Sequence, residues 1–245
     1  MIEPASQART LLAAWETLLG ADLPKPLAAA SAALDEVNYT LPPPVTVDGS
    51  KITAANAEST VSELASRMAD EAKFELARNR AQDAVSRHVL TLAKDCVPDV
   101  LASIEPRFRQ AVDTFTDTLD LLPENLTSDA LVDAGPAAVE AFGVAKSAEA
   151  ELNAIDSWVS SLAHLYGYRA DPCLRLASAS TRQGLQTLLG AEGKTGTIRP
   201  LWVAIATTPD VSWVLNTPDQ SAEIRRVLDA LPPTEHKKPV FVSFT

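Results

Sequence analysis

No glycine occurs between residues 53 and 122, and proline interrupts that stretch only at Pro98 and Pro106. Apolar residues recur through it every three or four positions, the spacing of one helix face. Val61, Ala65, Met68, Ala72 and Leu76 form one such series, followed by Val85, Val89, Leu92 and Cys96. A helical element of this length cannot bury itself inside a small globule. It requires an elongated helical hairpin, a bundle, or a partner that covers its apolar side. Pro98 is expected to end or kink the first helix, because proline lacks the amide hydrogen and its ring crowds the preceding turn.

Beyond Pro98 the seam becomes cleaner. Leu101, Ile104, Phe108, Ala111, Phe115, Leu119 and Leu122 step by three or four residues, while Asp113, Asp117 and Asp120 fall on the opposite side. Leu101, Ile104, Phe108, Phe115, Leu119 and Leu122 are therefore the candidate interaction seam. Periodicity predicts the seam but does not say whether its own chain or another molecule fills it.

The flanking segments also read as helix. Leu11, Leu12, Trp15, Leu18 and Leu19 make one stripe on a helix over residues 4–19, with Gly20 placed to terminate it. An alanine-rich helix is expected over 26–37. Pro42, Pro43 and Pro44 then favour an extended connector, with a short edge strand at 45–47. A further helix over 136–166 carries Leu152, Ile155, Val159, Leu162 and Tyr166, and another is expected over 173–189.

The last part of the chain changes character. Residues 201–206, 211–215 and 240–244 are apolar runs that read as strands. Between the last two, Thr217, Pro218 and Gln220 form a capping box with proline at the first helical position. The expectation is a strand, strand, helix, strand module, with Val240, Phe241, Val242 and Phe244 as a candidate edge strand open to β-addition. The fold class is therefore mainly α: long amphipathic helices with a small C-terminal α/β module. The divisions fall at 1–52 (N-terminal helices and connector), 53–190 (helical hairpin or bundle) and 191–245 (α/β module).

Charge narrows the partners. The chain carries 21 basic and 32 acidic residues, a formal net charge of −11. Nucleic acid and anionic membranes both select clustered cations, so neither is an expected partner. The basic residues of 67–94 (Arg67, Lys73, Arg78, Arg80, Arg87 and Lys94) are interleaved with Asp70, Glu71, Glu75 and Asp83. No apolar run approaches the ~20 residues of a membrane span. The N-terminus shows no basic region followed by an apolar one, so a cytoplasmic protein, or part of an assembly built there, is expected. Abundant alanine, with 13 Arg against 8 Lys, is the composition of GC-rich bacterial or phage genomes.

Chemistry-bearing motifs are weak. Gly193-Lys194-Thr195 lacks the glycine that a phosphate-binding loop needs at position 188, which is Leu188, and a helix is expected before it rather than after. His164, Tyr166, Tyr168, Asp171 and Cys173 are the densest patch of reactive side chains, and a Cys–His pair there is the one candidate nucleophile. Cys96 and Cys173 with His88, His164 and His236 match no zinc spacing. No catalytic, cofactor-binding or metal-ligating residue is assigned, and no cofactor is expected. The reading is a non-catalytic structural or assembly protein, a self-associating particle component of phage or bacterial type. The alternatives are a monomeric adaptor gripping a heterologous protein and an enzyme of unrecognised type.

Overall fold

Helix formation follows the apolar periodicity over most of the chain, with one small sheet where side chains, rather than propensity, hold strands in register. The computed structural model describes residues 4–19, 23–42, 45–46, 48–123 and 125–231. The protein is mainly α with a small two-stranded sheet near its C-terminal end. Two compact units are present, Met1–Val97 and Pro98–Thr245.

In the first unit, α1 (Pro4–Leu19) buries Leu11, Leu12, Trp15 and Leu18, the stripe expected from their spacing. Helix α2 (Lys25–Tyr39) starts with Pro26 in its first turn and buries Leu27, Ala30 and Leu34. Val45 and Thr46 are not in a strand. Helix α3 (Ala57–Leu119) opens after a turn in which Asn56 accepts a hydrogen bond from the Thr53 amide at 2.7 Å. Within this unit the helix buries Ser86, Val89, Ala93 and Val97, whereas residues 57–70 are almost wholly exposed or half-exposed.

Pro98 does not end the helix: α3 contains both Pro98 and Pro106. Both prolines lie on the exposed side, so the turns they interrupt face solvent. Flanking Val97, Val100, Ile104 and Phe108 are buried. Burying such side chains contributes about 1.5–3 kcal/mol each, so the four together offset the ~3 kcal/mol cost of each of the two interior prolines.

In the second unit a short α4 (Ser128–Asp133) is capped by Thr127, whose side chain accepts from the Ala130 amide. Gly135, at a φ of 94° that a side chain would disfavour, turns the chain into α5 (Pro136–Ser161). Helix α5 buries Ala138, Ala141, Ala145, Ala148, Leu152, Ile155 and Val159 at alternating spacings of three and four. It ends at Ser161, short of the expected Tyr166. A separate turn, α6 (Ala163–Tyr166), follows and stops at left-handed Gly167.

Two expectations for the C-terminal region are corrected. Residues 173–189 are not one helix: a 3-10 turn (Pro172–Leu174) leads into β1 (Ala177–Ala179), then α7 (Arg182–Ala191). Residues 201–206 are not a strand but lie in α8 (Pro200–Thr207). A short apolar run has no periodicity to separate buried strand from buried helix. Pro200 at the first helical position and burial of Leu201, Trp202 and Ile205 at helical spacing decide for helix.

Strand β2 (Val211–Trp213) pairs antiparallel with β1, Ala177 opposite Trp213 and Ala179 opposite Val211. Ala-Ser-Ala has little intrinsic strand preference. Buried Asn216 holds it instead, donating to the carbonyls of Leu174 (2.7 Å) and Ala177 (2.9 Å). Helix α9 (Pro218–Ala230) opens with the capping box read from Thr217 and Gln220. Val240, Phe241, Val242 and Phe244 lie outside the described residues.

Candidate interaction surfaces

The seam of residues 101–122 is covered mainly by its own chain. Ile104, Phe108 and Phe115 are fully buried, and Leu101, Leu119 and Leu122 are half-buried. Trp213 of β2 meets Phe108 and Phe115 edge-on, with ring centroids 6.3 and 6.2 Å away, and lies 5.8 Å from Trp202 of α8. Such aromatic pairs contribute about 0.5–1.5 kcal/mol each beyond area burial. Arg107 of α3 pairs with Glu151 of α5 at 2.7 Å. Between the two helices a groove of about 420 Å³ runs past Ala111 and Ala148.

Beside the buried stripe of α5, Glu149, Asn153 and Asp156 sit one turn apart and anchor the C-terminal segments. Arg175 donates to both oxygens of buried Asp156, at 2.6 and 3.1 Å, and to Ser160 at 3.2 Å. Arg199 reaches the same carboxylate at 3.0 Å and lies over the Trp202 ring, 4.2 Å from its centroid. Asn153 accepts from the Trp202 indole at 3.0 Å. Buried Glu149 accepts from the Arg199 amide at 2.7 Å and pairs with Lys146. Each partly buried charge thus has an opposite charge and further hydrogen bonds, the condition under which burial is tolerated.

The reactive-residue patch is also brought together in part. Gly167 turns the chain so that Tyr166 and Tyr168 pack edge-to-face at 6.4 Å. Tyr168 donates to Asp219 of α9, which holds the phenol proton and pushes its pKa up to about 12. Asp171 accepts from the Cys173 amide at 3.0 Å and from Arg225 at 2.8 Å, and Arg225 also reaches Asp229. An open hollow of about 830 Å³ lies between this loop, the end of α7 and one side of α9. Its basic residues (Arg169, Arg225 and Arg226) are matched by Asp171, Glu192 and Asp229. The hollow thus has no excess charge to select an ionic ligand. His164 does not line it.

Cys173 is buried, and burial followed by the charge of Asp171 pushes its thiol up to about 12. A nucleophilic cysteine needs the opposite: a lowered pKa and access to substrate. The Gly193–Thr195 loop follows helix α7 and leads to helix α8, so no strand feeds it. Among the described residues no group of three or more His, Cys, Asp or Glu is arranged to hold a metal ion. Nor is any helix there long and apolar enough to cross a membrane.

The earlier series on α3 behaves differently. Val61, Met68 and Leu76 are 63%, 57% and 54% exposed, and the intervening Ala65 and Ala72 are exposed as well. In this unit the intramolecular face of α3 is another one, carrying Leu64, Phe74, Gln82, Ser86 and Val89. At 3.6 residues per turn that face lies about a quarter-turn from the exposed stripe. No protein-family model, curated protein or solved structure matches the chain.

Proposed function

We propose that this is a non-catalytic structural or assembly protein that works through protein–protein contact, with self-association its principal mode. The observation that carries the reading is the stripe of Val61, Ala65, Met68, Ala72 and Leu76, exposed along more than four turns of one helix. Single exposed apolar residues are ordinary, but an aligned series on one helix face is the form of a helix–helix docking surface. The environment of Cys173 supports the non-catalytic part, since a buried thiol held protonated is a poor nucleophile.

Sedimentation equilibrium of the pure chain over a hundredfold concentration range tests the proposal. Reversible growth beyond the 26.1 kDa monomer is the expected result. A monomer at every concentration removes self-association and leaves the adaptor reading, in which the same stripe receives a helix of another protein.

A further inference from the structure

Resting on that reading, we propose that the exposed stripe of α3 pairs with the same stripe of a second copy, antiparallel, about a two-fold axis between Met68 and Ala69. The stripe is nearly symmetric in sequence about that point. Reversal of direction sets residue 61 level with 76, 65 with 72, and 68 with 69 of the other chain. Val61 then faces Leu76, Ala65 faces Ala72, and Met68 faces Ala69. At the centre each Met68 meets the small Ala69, and the Ala65–Ala72 pairs on either side let the two helices approach closely.

Charge selects this occupant and this direction. Along one flank of the stripe, helical geometry places Glu58, Lys73 and Arg80. In an antiparallel pair related by a two-fold, each flank meets the same flank of the other copy. Arg80 falls one residue from level with Glu58 of the second chain, about 1.5 Å along the axis. The dimer therefore forms the Glu58–Arg80 pair twice. A parallel dimer would instead set this flank against the opposite flank of the other copy, leaving Glu58 and Arg80 on opposite sides of the interface with no such pair to form. Neither Glu58 nor Arg80 has an ion pair among the described residues, while Lys73 is held by Asp70 at 3.0 Å. The connector also leaves the stripe clear. Its Pro42, Val45, Thr46, Asp48, Lys51 and Ile52 line two hollows with Thr60, Glu63, Leu64, Arg67, Asp70 and Phe74, on the other side of the helix.

The test uses the full chain in sedimentation velocity, with far-UV circular dichroism confirming that each variant is folded. M68E is expected to raise the dimer dissociation constant by more than about tenfold, because it places a charge on the two-fold axis. E58R and R80E should each weaken the dimer, and E58R/R80E should restore it, since the swapped charges still face one another. A V61C variant should form no disulfide with itself, the two residues lying about 22 Å apart along the axis, whereas V61C mixed with L76C should cross-link. A V61C homodisulfide or a failure of the double swap to recover overturns the antiparallel arrangement. Oligomers indifferent to M68E overturn this pairing while self-association stands. A monomer at all concentrations overturns both.

Discussion

The two ends of α3 carry the same apolar rhythm and have opposite fates. At 104–115 the seam holds an isoleucine and two phenylalanines, all buried, and Trp213 meets both rings. At 61–76 it holds Val, Ala, Met, Ala and Leu, and solvent reaches all five. Periodicity fixes where an apolar face lies. The size of the side chains and the elements available nearby decide what covers it. Two aromatic rings in the seam would be costly to leave wet, and a tryptophan arrives on β2 to meet them. A thin stripe with two alanines is tolerable in water and suits a contact that forms and dissolves.

The largest effect is expected on the covered side. Phe108→Ala removes a fully buried ring against Trp213 and should lower stability by about 3–5 kcal/mol. Denaturant unfolding measures this, and an effect below about 1 kcal/mol would break the distinction between the two ends. Asp156→Ala comes next. It strands Arg175 and Arg199 without their shared anion and should cost about 3 kcal/mol, at the lower end for such pairs because Arg199 keeps contact with water. Thermal unfolding should show a drop of several degrees.

On the open side, Met68→Glu should change stability by no more than about 0.5 kcal/mol, as for other surface positions, while weakening the dimer more than about tenfold. Unfolding and sedimentation measured on one sample separate these outcomes. A large loss of stability in the monomer would mean that the stripe is intramolecular core. The smallest effect concerns Cys173. With its thiol pKa raised to about 12, native protein at pH 8 should react with iodoacetamide at Cys173 far more slowly than unfolded protein does. Because the unfolded thiol releases its proton first, its contribution to stability should fall as pH rises from about 9 toward 12. Rapid labelling of native Cys173 at pH 7 would contradict its burial.

Much of the helical architecture was legible in the sequence. The stripe of Leu11, Leu12, Trp15 and Leu18 gave α1 its bounds, and Thr217 with Gln220 marked the start of α9. Harder positions share one cause, that tertiary partners overrode local signals. The 201–206 run carries strand-like residues but folds as α8, whose Leu201, Trp202 and Ile205 are buried. Ala177–Ala179 becomes a strand because Asn216 bonds the carbonyls on either side of its start. Glu149, Asn153 and Asp156 have a visible helical spacing that resembles a solvated face. Only the arrival of Arg175 and Arg199, 19 and 43 residues after Asp156, reveals it as an anchor. The candidate seam was legible as a seam, but its covering was not, since Trp213 lies about a hundred residues away in sequence.

Hydrogen exchange read by mass spectrometry, at low and high protein concentration, tests the central comparison most directly. Peptides covering residues 58–80 should gain protection as concentration rises, while those covering 101–119 should be slow to exchange at both and unchanged between them. Concentration-dependent protection at 101–119, or none at 58–80, would contradict the account.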